Sequence, residues 1–252
     1  MKKIFIAIFL IFLLVAGIQS ITVDEIIDNN LKVKGGVEKL SSVISAKGDG
    51  KIVRMGMEMK FSMWYKKPSM TRNEVTFSDK KMTFAYDGKT VWQISPFTGI
   101  EGPQEVTGDQ ADDIKESAEM FEDPFINYKQ KDNKIEFLGN EELEGTEVLK
   151  VKLTRKNGKV TTYFIDAESF IELKTETIKK KDDGKEIKLE SFFGDFKEVD
   201  GMMVAHSIKT KINGIDMGNV VIESVNFNVE VEDSFFKMPE KKEEKESKEE
   251  SH

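Results

Sequence analysis

Residues 55–68 read "MGMEMKFSMWYKKP". Met55, Met57, Met59, Phe61, Met63 and Tyr65 fall on one parity, and Gly56, Glu58, Lys60 and Ser62 on the other. Strict alternation is the mark of a strand with one face toward an apolar interior. A row of four methionines is unusual there, because β-branched residues fit a pleated surface better. Two readings are open. The row is the inner face of a plain core strand, or it is a wall that re-packs around a variable apolar shape, since methionine is unbranched and polarizable. The second suits a fluid ligand such as an acyl chain. It makes Met55, Met57, Met59, Phe61, Met63 and Tyr65 candidate cavity-lining residues.

Outward from this stretch the alternation continues, broken by turn dipeptides at Asp87-Gly88, Asn157-Gly158, Asp183-Gly184, Asp200-Gly201 and Asn213-Gly214. Each is a hairpin signal. About ten strands in meander order follow from this pattern, enough that one antiparallel sheet curls or closes. "GDG" at 48–50 reads as a further turn, not a phosphate loop, for neither a Lys-Ser/Thr nor a long helix follows it. In the hairpin around Asp87-Gly88, Met82 and Phe84 share a face with Val91, and Ala85 shares the other with Trp92 and Ile94. Both faces are partly apolar, which leaves the inner one open; Phe84 is the candidate for the pocket side.

Two segments carry helical periodicity. In "VDEIIDNNLKVKGGVEKLSSV" Ile26, Ile27, Leu31 and Val33 approximate one face, Thr22 with Glu25 resembles a capping box, and Gly35-Gly36 interrupts the run. In "GDQADDIKESAEMFEDPF" Ile114, Ala118, Phe121 and Phe125 form a stripe spaced by four, three and four, with acidic residues at the start and Pro124 near the end. Laid across the open side of a curled sheet, this second helix serves as a lid. The expected fold is therefore mainly β (α+β): one strongly curved antiparallel sheet forming an incomplete barrel, with an N-terminal helix and a helical lid over an apolar cavity.

The ends are separable from that domain. Lys2 and Lys3 precede an apolar run from Ile4 to Gly17, the pattern of an export signal spanning residues 1–20. From Glu240 onward, "EKKEEKESKEESH" carries six Glu and four Lys without one apolar residue, and reads as a disordered tail over 240–252. The domain between runs over 21–239, within range for a single large β domain. A net charge of −8 argues against a nucleic-acid partner. No cysteine is present, so neither disulfides nor thiol chemistry is available.

Catalysis has little support. One of the two histidines is the last residue, and His206 alternates with Val204 and Ile208 on an apolar face, as a structural histidine does. Its neighbour Ser207 points to the opposite face and cannot pair with it as nucleophile and base. No metal-binding spacing exists, and no cofactor is implied.

Residues 63–97 carry a specific combination. A Trp-x-Lys-basic-Pro element, Trp64 to Pro68, is followed by "DGKTVW", Asp87 to Trp92, and then by Pro96-Phe97. With the late "DSFFKMP", Asp233 to Pro239, this resembles the LolA-type periplasmic lipoprotein carriers, the outer-membrane lipoprotein-sorting family. The resemblance implies an incomplete β-barrel that takes lipoprotein acyl chains into an apolar cavity beneath a helical lid. It also implies periplasmic localisation, a monomer, an inner-membrane releasing complex and an outer-membrane acceptor. The family's basic residue before the proline latches the lid; that position is Lys67 here, a flexible point charge where the carriers have a planar arginine. The same half-barrel also serves periplasmic sensors that bind lipoproteins and control a membrane partner, so sensing without transport is the alternative to carrying.

Overall fold

The computed structural model describes residues 21–119, 121–180 and 184–240. The expected signal segment, and the tail beyond Glu240, lie outside them. Two helices come first, α1 (Val23–Val33) and α2 (Val37–Ser42). Among the described residues thirteen strands follow, all in one antiparallel sheet. Six precede the remaining helix: β1 (Ser45–Arg54), β2 (Met57–Lys66), β3 (Met70–Phe77), β4 (Lys80–Tyr86), β5 (Val91–Ser95) and β6 (Ile100–Glu105). Helix α3 spans Gly108–Glu119. The strands after it are β7 (Lys134–Leu143), β8 (Thr146–Thr154), β9 (Val160–Asp166) and β10 (Glu172–Lys180). The last three are β11 (Glu186–Val199), β12 (Met202–Ile212) and β13 (Ile215–Phe227).

The spatial order, β6-β5-β4-β3-β2-β1-β13-β12-β11-β10-β9-β8-β7, explains the architecture. The chain enters at the middle of the sheet, meanders to one edge at β6, crosses to the other edge at β7, and meanders back until β13 pairs with β1. Edges β6 and β7 do not pair, so the barrel stays open. Its curl follows from α3. Ala111 and Ile114 pack on Val91 and against Phe84 and Tyr86, while Asp113 and Glu116 ion-pair with Lys179 on β10. On a flat sheet β4 and β10 would lie about 34 Å apart, seven steps of ~4.8 Å. Twelve helical residues reach only about 18 Å. The sheet must bend toward α3, and the helix face is its concave side.

The hairpins show why the strand count exceeds the expected ten. Five turns hold two consecutive left-handed residues: Met55-Gly56, Ser78-Asp79, Glu144-Gly145, Asp200-Gly201 and Asn213-Gly214. This is the twist-matched two-residue connection. Only the last two carry the usual Asp-Gly or Asn-Gly signal. The "GDG" segment is not a turn but the middle of β1, with an irregularity in the pairing to β13 at Asp49/Gly50. A Cβ at Gly48 would meet Met63 Cε at 2.8 Å, and one at Gly50 would meet Phe61 Cε1 at 2.8 Å and the Val221 carbonyl oxygen at 2.1 Å. The glycines leave room for the Phe61 and Met63 side chains to lie across β1.

The dry core sits at one flank. Helix α1 begins with a true capping box: Thr22 Oγ1 accepts from the Glu25 N–H (3.3 Å), and Glu25 Oε2 accepts from the Thr22 N–H (2.8 Å). Such a cap stabilises a helix start by about 1 kcal/mol. Its buried face, Ile26, Ile27 and Leu31, packs with Phe125 and Ile126 onto Leu149, Val151, Leu153, Tyr163 and Ile165. Each such aliphatic side chain contributes about 1.5–3 kcal/mol by leaving water. Asn30, fully buried, donates from Nδ2 to the Phe170 carbonyl (2.8 Å), tying the helix to the loop before β10.

The convex face of β2–β5 is covered differently. Register aligns Trp64, Arg72, Ala85 and Trp92 in one row. The C-terminal segment crosses it: Trp92 Nε1 donates to the Phe236 carbonyl (2.7 Å), Arg72 Nη1 donates to the Phe235 carbonyl (2.7 Å), and Phe235 meets Trp64 edge-on at 5.1 Å. Lys66 Nζ adds bonds to the Val231 carbonyl and to Asp233 Oδ1. Trp64, Trp92 and the "DSFF" segment, distant in sequence, thus meet as one clasp.

Candidate functional site

The concave face is identified by Tyr65, whose ring stacks on Phe121 at 5.4 Å beneath the end of α3. From that parity, register defines a row across five strands. Met59 on β2 pairs with Ile52 on β1, Ile52 with Val220 on β13, Val220 with Ile208 on β12, and Ile208 with Phe193 on β11. All five are apolar and all remain half-buried. Neither hydrophobic cluster of the concave face includes any of them. The row lies between the flank packed under α1 and the flank packed under α3.

At Phe193 the row enters a cavity of about 330 Å³, at the small end of the roughly 300–1,000 Å³ of ligand pockets. Its floor is Thr161 and Tyr163 of β9, Thr175 and Thr177 of β10, and Leu189, Ser191 and Phe193 of β11. Its roof is Leu40 of α2, Glu116 of α3, and Phe121, Asp123 and Pro124 of the segment after α3. Lys34, Arg155, Lys159 and Glu172 complete it.

The charges are mostly committed. Lys34, at the C-cap of α1, contacts Asp123 and sits 2.8 Å from Glu172. Burial opposes its charge, but the two carboxylates outweigh it and hold its pKa above the usual lysine value. Burial first, and the nearby Lys179 ammonium second, pull Lys159 down to about 8. The Asp113 carboxylate acts against that fall. The Glu116 carboxylate contacts Lys159 and lies 2.6 Å from Lys179. Burial raises the Tyr163 pKa, so its hydroxyl keeps its proton and is a donor at neutral pH. Among the described residues no cluster of three or more His, Asp or Glu is placed to hold a metal ion.

The residues expected from sequence are dispersed over the fold. Met59, Phe61, Met63 and Tyr65 are on the concave face, with Phe61 buried. Met55 is not in the strand: it occupies the first left-handed position of the β1–β2 turn and is 84% exposed, and Met57, at the strand's first position, is 46% exposed. Alternation alone could not show that the chain reverses there, because Met-Gly lacks the polar turn residue. Phe84 lies on the concave side, packed against the α3 cluster. Ile114 and Ala118 are buried on α3, as the stripe predicts. Phe121 and Phe125 are not on that helix. It ends at Glu119, and Asp123 Oδ1 accepts the Phe125 N–H (2.9 Å) in a turn that sends Phe125 into the α1 cluster, 4.8 Å from Tyr163. Lys67 does not bond α3 either: its Nζ donates to the Ser41 carbonyl of α2 (2.8 Å). His206 is buried, with Nδ1 3.0 Å from the Val204 carbonyl. Sequence reasoning passed over Arg155, Tyr163, Phe193 and Ile208. Hydrophobic alternation marks the strands of Tyr163, Phe193 and Ile208, and Arg155 lies just past the end of β8, but no local signal shows which strands the helices leave uncovered.

No protein-family model matches the sequence, and no curated protein matches it. Solved structures do match. A DUF1329 family protein from Desulfovibrio piger superposes with a TM-score of 0.56 at 14% identity, covering 85% of this chain and 97% of that one. A domain named for outer membrane lipoprotein sorting, from Vibrio parahaemolyticus, gives 0.52 at 12%, covering 84% and 94%. A LolA superfamily protein from Nitrosomonas europaea gives 0.50 at 13%, covering 86% and 98%. At these identities the likeness is one of fold, and the fold of this chain is LolA-like.

Proposed function

We propose that this protein binds and carries acylated cargo, a lipoprotein or another lipid, in the periplasm, without catalysing a reaction, and delivers it toward the outer membrane. The observation that carries the reading is the partly buried row Met59–Ile52–Val220–Ile208–Phe193, running into the cavity at its last residue. Its four strand steps span about 19 Å, and half of a ~30 Å bilayer core, the reach of one acyl chain, is about 15 Å. Each buried CH₂ contributes about 0.8 kcal/mol, so a bare apolar strip of this length is sufficient to hold a chain. The LolA-like fold and the lipoprotein-sorting name of a structural neighbour support the same reading.

The test is binding of a fluorescent fatty-acid probe, followed by transfer of a lipoprotein from inner-membrane vesicles to outer-membrane vesicles. Wild type should bind and transfer. Ile208→Glu and Ile52→Glu should lose probe binding while still unfolding cooperatively. A wild type that does not bind the probe, or a probe indifferent to both substitutions, overturns the reading. Binding without transfer would retain the ligand class and replace the carrier by a sensor.

A further inference from the structure

The cavity at the end of the apolar row is not apolar throughout, and its uncommitted polar groups share one character. Glu116, Asp123 and Glu172 are each held by a lysine. Arg155, by contrast, makes no side-chain hydrogen bond or ion pair with the described residues. Tyr163 is only 6% exposed, yet its hydroxyl has no hydrogen-bond partner among the described residues. Both side chains line the cavity, and Arg155 is close enough for its charge to act on the Tyr163 hydroxyl. Thr175 and Ser191 bring two more hydroxyls to the same floor. Neither group is sealed off without a partner, so both face the accessible space of the cavity. The carboxylates of the cavity are thus occupied by lysines, while the Arg155 guanidinium and the hydroxyls remain open.

We infer that Arg155 and Tyr163 form a head-group site for a single-chain anionic amphiphile, whose carboxylate or phosphate accepts from both while its hydrocarbon lies along Phe193, Ile208 and Val220. This rests on the carrier reading above and narrows its ligand class. The guanidinium fork and the protonated phenol both donate, and a charged acceptor in a partly enclosed site makes the stronger class of hydrogen bond. A neutral ester or hydroxyl head gains far less from the same two donors.

The experiment compares three C16 ligands, palmitate, hexadecyl phosphate and monopalmitoyl glycerol, by displacement of the fluorescent probe at pH 7.5, with inorganic phosphate as a further competitor. In wild type the two anions should bind at least tenfold more tightly than the glyceride, and inorganic phosphate at millimolar concentration should displace nothing. Arg155→Gln should weaken both anions about tenfold or more and leave the glyceride unchanged. Arg155→Lys should recover part of the loss. Tyr163→Phe, which keeps the ring against Phe125, should weaken the anions severalfold and serves should Arg155→Gln fold poorly. Equal affinities for all three ligands, or losses in the variants that include the glyceride, would overturn the head-group site while leaving the carrier reading intact. Failure of wild type to bind any of the three would remove both. Displacement by inorganic phosphate alone would reassign the site to a free anion and overturn the amphiphile.

Discussion

Val151 and Leu153 on β8 are fully buried, while Ile208 on β12 stays only partly buried, four strands away on the same concave face. Both strands alternate, both carry aliphatic residues inward, and their hairpin partners are equally regular. The difference is what lies above. Over β8 sit α1 and the Phe125-Ile126 segment; the row through Ile208 belongs to no such cluster. An inward apolar residue becomes core only where something covers it, so burial here is a property of the crossing segments more than of the strands.

The sharpest way to break this comparison is to truncate one residue of each region. Leu153→Ala should lower the unfolding free energy by about 2–5 kcal/mol, as full burial and a residual cavity require, measured by urea denaturation, with probe binding in the folded protein nearly unchanged. Ile208→Ala should lower stability by about 1 kcal/mol or less, because the side chain is only partly buried, but weaken the fatty-acid probe severalfold. Equal stability losses would mean that the row is ordinary core.

A smaller effect concerns the cover. Glu116 joins α3 to Lys159 and Lys179 on the opposite flank. Glu116→Gln should remove about 1 kcal/mol from that closure, read as roughly fivefold faster hydrogen exchange of α3 amides with no change in α1. Uniform acceleration in both helices would contradict separate covers.

The smallest effect lies on the convex face, where Lys174 Nζ donates to Glu190 Oε1 (2.6 Å). This bond, against the opposing effect of burial, holds the Glu190 carboxyl below its ordinary 4.5. The folded pKa is therefore the lower one. The stabilisation is fully present above about pH 4.5 and is lost as the pH falls through the folded value. Glu190→Gln should flatten the acid limb of a stability–pH profile below pH 4.5 and leave probe binding at neutral pH untouched.

Much of this fold was legible because its signals are local. The Thr22–Glu25 box, the Ile26–Leu31 face, the Asp200-Gly201 and Asn213-Gly214 turns and the inward parity of Met59 to Tyr65 each depend on residues within a few positions of one another. Reading failed where the local signal was absent or ambiguous. Met55-Gly56 and Glu144-Gly145 adopt the left-handed pair without Asn or Asp at the first position. Gly48 and Gly50 look like a turn but make room for Phe61 and Met63. Phe121 and Phe125 keep helical spacing past Glu119, where the helix ends, and Asp123 turns the chain before Phe125. The site was the least legible part. By alternation the Met row reads as a cavity wall, whereas the cavity at Phe193 has its floor on β9, β10 and β11, strands whose inner residues include Thr161, Thr175, Thr177 and Ser191.

What the chain determined by itself is the parity of each strand and hence which side chains share a face, since a period of two is a property of the backbone. Only the tertiary structure decided which part of that face is sealed and which is open. That depends on how far thirteen strands curl before α3 spans them and on where the segment after it comes to rest. Both are set by contacts between residues far apart in sequence, which no short window of the chain contains.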